Sequence, residues 1–196
     1  HEAVTHFQMV IQTYEQKGDP LALTGLTLVN LSRAFQRQHD YEKSQEHLSR
    51  GMMLLQKARS RGLLAEAILQ QSDIELDQGH EDSAMALCEQ ALTQTRELGM
   101  KVLEARALRI LGRVALVQRR FQEAQARLQE SAELAQHCGA QYEQGLALVT
   151  LAEAFGLRPD MSDKRRRQSV IRAALAIFQR LGAQTELERV LRLSST

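Results

Sequence analysis

Apolar and polar positions follow a helical period from one end of the chain to the other. The pattern is broken by polar turn signals at "EQKGDP", "RQHD", "ARSRG", "DQGHED", "RELG", "QHCG" and "GLRPDMSD". These signals divide the chain into helices of about 10 to 18 residues. Laid against itself at a spacing of 40, the chain superimposes. Ser44, Ala84 and Ala124 then share one register, Leu48, Cys88 and Leu128 a second, and Gly51, Ala91 and Ser131 a third. In the helix before each set, Leu28, Ile68, Leu108 and Leu148 coincide, as do Ser32, Ser72, Gly112 and Ala152.

Small residues therefore alternate with large ones at fixed places, which predicts pairs of antiparallel helices in close contact. In "ALRILGRVALVQRRFQEAQARL" Gly112 sits inside a helix, where Gly costs about 1 kcal/mol relative to Ala. It should recur only where a close approach returns more than that. Ala124 is expected to fill the matching place, with Leu128 as the knob one turn later, and Ser44/Leu48 and Ala84/Cys88 to do the same in other pairs. A single helix pair cannot bury both its faces, so the pairs must stack.

At these residues the chain resembles the tetratricopeptide repeat family. Leu108, Leu111-Gly112, Ala124, Leu128 and Ser131 match its pattern, with Ala115 where Tyr is usual. Leu28, Leu31-Ser32, Phe35, Ser44, Leu48 and Gly51 match again, and Leu148, Leu151, Ala152 and Phe155 begin another repeat. The unit at 68–91 departs, with Gln71 and Glu75 in place of Leu and an aromatic. Ala3, Phe7 and Val10 resemble the second helix of a preceding repeat, and "AQTELERVLRL" resembles a final helix. The resemblance implies an all-α fold, an α-α superhelix of about four helix-turn-helix repeats with a flanking helix at each end. Its parts are 1–18, 20–60, 62–98, 100–138, 140–182 and 184–193 of one solenoid domain. Repeats of this length resemble those of bacterial signal-transduction ATPases and maltose-regulator-like activators, which implies a regulatory or sensor region of a larger protein. The alternative is a constitutive adaptor.

Composition narrows the function classes. Lys and Arg total 25 against 24 Asp and Glu, so the net charge of +1 provides no global field for nucleic acid or an anionic membrane. No apolar run approaches the roughly 18 residues of a membrane span, and no signal-peptide core opens the chain. Cys88 and Cys138, without CxxC spacing, read as small buried or half-buried thiols in a reducing compartment, so a cytoplasmic location is expected. A chain beginning with His1 reads as a piece of a longer protein. Histidines at positions 1, 6, 39, 47, 80 and 137 lack ligand spacing and read as solvated or capping residues. No phosphate-binding, dinucleotide-binding or nucleophile-elbow motif is present, so no cofactor, metal or catalytic role is expected.

The charge pattern points to binding. In stacked repeats of this family the first helices line a concave groove, and the residue after the small position faces it. Here that residue is Arg33, Asp73, Arg113 and Glu153 in turn, with Arg37, Glu66, Asp77, Arg106 and Arg109 around it. One reading is a ladder of ion pairs between repeats; the other is a groove for a protein or peptide of mixed charge. On the second reading, charge reversal at Arg109 and Arg113 removes binding and leaves unfolding nearly unchanged. A chaperone-type carboxylate clamp is disfavoured, because Asp73 would repel a terminal carboxylate between Val29/Arg33 and Arg109/Arg113. Self-association stays open. "DKRRRQ" at 163–168 places four cations at a helix start, either a solvated turn or a contact for an anionic partner.

Overall fold

The computed structural model describes residues 2–17, 21–157 and 161–194, and the side chains of all of these except 14–17, 161 and 162. The described elements are all α-helices: α1 (Glu2–Lys17), α2 (Leu21–Gln36), α3 (Tyr41–Lys57), α4 (Arg61–Asp77), α5 (Glu81–Glu97), α6 (Lys101–Val117), α7 (Phe121–His137), α8 (Gln141–Gly156), α9 (Met161–Leu181) and α10 (Gln184–Ser194). The fold class is all-α, with antiparallel helix pairs in series as an α-α superhelix requires. The chain forms two compact units, His1–Leu98 and Gly99–Thr196. In the first, each helix from α1 to α5 packs on the next, and α2 also touches α4. In the second, α6 to α10 pack in order, and the first helices α6 and α8, and α8 and α10, also meet.

The turns explain the period. A residue with positive φ ends helix after helix at His39 (60°), Arg59 (52°), Gly79 (83°), Gly99 (66°), Arg119 (58°) and Gly139 (72°), one every twenty positions. In most of these turns the next amide reaches back five residues: Asp40 N to Phe35 O at 3.1 Å, Ser60 N to Leu55 O at 3.0 Å, Arg120 N to Ala115 O at 2.8 Å and Ala140 N to Ala135 O at 2.8 Å. The left-handed residue satisfies the last carbonyls of one helix and redirects the chain into the next within three or four residues. The 40-residue repeat is thus two 20-residue beats, each a helix plus its C-terminal turn. The outer signals "EQKGDP" and "GLRPDMSD" fall partly on 18–20 and 158–160, outside the described residues.

Close contact inside each pair lies at the small residues of the repeat. Ser44 Oγ donates to Ser32 O at 2.8 Å and lies 3.0 Å from Ser32 Oγ; Ser72 Oγ donates to Ala84 O at 2.7 Å. A Cβ on Gly112 would sit 2.6 Å from Leu128 Cγ and 3.5 Å from Ala124 O. A second contact, twenty-six residues apart, does not follow from the sequence register: Gly25 against Gly51, and Ser131 Oγ donating to Ala105 O at 2.7 Å. Hydroxyls at these places satisfy helix carbonyls across the interface, so Ser substitutes for Gly or Ala without leaving a buried orphan. Large residues fill the space around them. Val29, Leu48, Leu55, Ala67 and Ile74 form one cluster of the first unit; Leu128, Leu151, Ala154 and Phe155 form one of the second.

On α1 the packed face is Val4, Phe7 and Ile11, one position on from the expected Ala3, Phe7 and Val10; Ala3 is exposed. The reason is size, since Ile11 reaches the Leu28, Leu31 and Phe35 cluster. Cys88 is fully buried, but Cys138 is exposed and not half-buried, because it stands at the C-cap of α7, where its Sγ donates to Ala135 O at 3.5 Å.

Candidate interaction face

The first helices α2, α4, α6 and α8 are the most buried of the chain, so their polar residues must find partners. Arg33 on α2 finds such partners in the first unit. Its Nε donates to Gln70 Oε1 at 3.2 Å, Nη1 to Asn30 Oδ1 at 3.0 Å and Nη2 to Glu66 Oε1 at 3.1 Å. Gln70 Nε2 in turn donates to Gln36 Oε1 at 2.6 Å, and Gln36 Nε2 donates to Asp77 Oδ2 at 2.7 Å. Polar side chains from the two helices thereby form one connected strip that includes Arg33, Gln70, Gln36 and Asp77. Asp73 is buried on α4 and Arg37 is exposed just after α2.

The second unit repeats the device. Arg109 Nε on α6 donates to Glu143 Oε1 on α8, with only 10% and 11% of the two side chains exposed. Glu153 on α8 accepts from Arg189 Nη2 on α10 at 2.7 Å. Arg106 is buried on α6 and Arg113 half-buried beside it. Among the predicted positions, then, Arg33 meets Glu66 directly, whereas Arg109 and Glu153 find partners outside the predicted set, Glu143 and Arg189. The pairs lie 33, 34 and 36 residues apart. That is one repeat less about one to two helical turns. Opposite charges at this offset were the available signal; comparison at 40 alone hides them.

Burial changes what charge reversal at Arg109 does. A glutamate there would face Glu143 in a site with little solvent, and a broken buried pair costs about 3–5 kcal/mol. The expectation that reversal at this position leaves unfolding nearly unchanged is therefore corrected.

Several other sites need placing. Asp40 caps α3, accepting from Lys43 N at 3.2 Å and from Lys43 Nζ at 2.6 Å, and the side-chain bond from Lys43 holds its carboxyl below the usual value. His47 is neither solvated nor capping: its ring stacks on Phe35 with centroids 5.2 Å apart. Its Nδ1 is buried without a hydrogen-bond partner among the described residues, and burial lowers its pKa from 6.5. In "DKRRRQ", Lys164, Arg165 and Arg166 are exposed in the first turns of α9, while Arg167 Nη2 turns in and donates to Leu193 O at 2.8 Å. Among the described residues no three His, Cys, Asp or Glu side chains converge as a metal site, and no helix is long and apolar enough to cross a membrane.

No protein-family model and no curated protein matches the chain. Solved structures do. It is similar to BtubC (BKLC) from P. vanneervenii, with 18% identity and a TM-score of 0.69 over 99% of this chain and 84% of that one. It is also similar to aspartyl phosphate phosphatase F from Bacillus subtilis, with 14% identity and a TM-score of 0.66. That match covers 93% of this chain but 48% of the phosphatase, so the chain spans about half its length. At these identities the likeness is one of fold, and the chain is an all-α helical-repeat protein.

Proposed function

We propose that this chain is a non-catalytic binding scaffold, an array of tetratricopeptide type that engages a protein or peptide through its first helices. We place it as the sensor region of a larger bacterial signalling or transcription-regulating ATPase, in the cytoplasm, where the free thiols Cys88 and Cys138 suit reducing conditions. The observation that carries the reading is the strip running from Arg33 through Gln70 and Gln36 to Asp77, matched in the second unit by Arg109–Glu143 and Glu153–Arg189. These side chains are held in place by one another before any ligand arrives. Preordered, mixed-charge surfaces of this kind gain specificity for a partner of complementary charge at little ordering cost.

A constitutive adaptor is the second reading. Arg109–Glu143 favours it, because a nearly buried pair ties α6 rigidly to α8 and resists a change of packing.

Selection of peptides from a displayed library on the immobilised chain supplies a probe. Its affinity should fall about tenfold in Arg37→Glu and in Arg113→Glu, neither of which is a member of the Arg109–Glu143 pair. Unchanged affinity in both variants would confine these charges to the stack. Hydrogen exchange with the same peptide separates the two readings. Slowed exchange in helices beyond the contact supports a sensor, and slowing restricted to the contacting helices supports an adaptor.

A further inference from the structure

We infer that this chain associates with a second copy of itself through the outer faces of two second helices, α5 of one molecule against α9 of the other. The two helices carry opposite charge. Helix α5 has four acids and Arg96 as its one cation, whereas α9 has six cations and Asp163 as its one acid. The whole chain has a net charge of only +1, so sign is segregated between helices and not biased throughout.

The opposite charges stand in matching rows. Counted back from the left-handed glycine that ends each helix, Gly99 and Gly182, the positions 2, 10 and 17 residues earlier are Glu97, Glu89 and Asp82 on α5 and Arg180, Arg172 and Arg165 on α9. All six residues are exposed. On α7 the same positions are Gln122, Gln129 and His137, so the repeat itself does not require charge there. Each row runs along about 22 Å of helix. Between the charges lie exposed small residues, Ala86 and Thr93 on α5 and Ser169 and Ala176 on α9, which let two such faces come close enough for the rows to meet.

Neither row is neutralised within the molecule. Asp82, Glu89, Arg165 and Arg180 form no side-chain hydrogen bond or ion pair among the described residues, and Arg172 Nε reaches only Gln168 O of its own helix, at 3.3 Å. Glu97 meets Arg61 at 3.2 Å in a pair with both side chains largely exposed, and such a pair contributes little. A parallel alignment sets Asp82 against Arg165, Glu89 against Arg172 and Glu97 against Arg180, and brings Glu81 to the crowded Lys164 and Arg166. The reverse alignment would bring Arg96 to that cluster, like charge against like. Nucleic acid or an anionic membrane would meet the α9 row alone and leave the matched α5 row without a role. Because the two faces differ, the contact is heterologous.

The test is sedimentation velocity over a concentration series at roughly 0.01 M salt and again at roughly 1 M, where the screening length has fallen from about 30 Å to about 3 Å. The wild-type chain should associate reversibly at low salt and dissociate at high salt. Arg165→Glu/Arg172→Glu and Asp82→Lys/Glu89→Lys, which leave the Arg61–Glu97 pair intact, should each weaken self-association about tenfold or more. An equimolar mixture of the two should restore it, because each variant then carries the sign that the other lacks. Circular dichroism checks that both are folded, and Arg172→Gln and Glu89→Gln, milder changes at the same places, should each weaken association as well. A wild-type chain that stays monomeric at low salt, association that survives either double reversal, or a mixture that does not recover would overturn the inference. So would a monomeric chain that binds phosphatidylserine vesicles through Arg165 and Arg172, since α9 would then serve an anionic surface.

Discussion

A Cβ added at Gly112 would lie 2.6 Å from Leu128 Cγ and 2.8 Å from its Cδ2, and Leu128 is fully buried. Gly112→Val should therefore lower stability by about 1–3 kcal/mol in a denaturant titration; a neutral result would remove the close-contact account of the repeat. Gly112 and Ala124 could be read from sequence because their spacing recurs in Ser32/Ser44 and Ser72/Ala84. The ion pairs could not, since Arg109 and Glu143 belong to different registers, and a double-mutant cycle on Arg109→Gln and Glu143→Gln should return a coupling of about 0.5–3 kcal/mol. His47 escaped detection because a ring stacked on Phe35 looks, in sequence, like any polar residue on a solvated face. Its folded pKa lies below the ordinary 6.5, mainly through burial, with Arg50 and Lys43 acting the same way and Glu46 opposing them. The folded state thus binds fewer protons than the unfolded state just below pH 6.5, so stability is full above that pH and falls as pH drops through it. His47→Phe, which retains the stack, should flatten this part of the stability–pH curve, whereas an unaltered slope would assign it to other groups.

At the scale of the helix, the turn decides the period. Arg119 and Arg59 occupy the left-handed conformation that Gly79 and Gly139 occupy elsewhere. For a non-glycine residue this conformation costs about 1–2 kcal/mol, partly offset by its lower chain entropy when unfolded. Arg119→Gly should consequently raise the thermal midpoint, by up to about 1 kcal/mol in stability, and a loss of stability would mean that the Arg119 side chain contributes more than its backbone costs. The turns at His39, Arg59, Gly79, Gly99 and Gly139 were legible as polar clusters, but the turn at Arg119 and the twenty-residue beat it completes were not, because His39, Arg59 and Arg119 do not look like helix terminators. In α1 the rotation from Ala3/Val10 to Val4/Ile11 has a similar origin. Periodicity identifies an apolar stripe, and the larger side chain decides which edge of that stripe meets the core.

For the whole molecule, helix pairs and their order were legible because 40-residue self-similarity runs through both compact units. The proposed binding face was less so, since it depends on which first-helix side chains come together in space, as Arg33–Glu66 and Glu153–Arg189 do. The most direct measurement is hydrogen exchange on the chain with and without a library-selected peptide. Protection should concentrate in α2 and α4 of the first unit, or in α6 and α8 of the second. Protection confined to α3, α5, α7 or α9 would contradict a first-helix binding face.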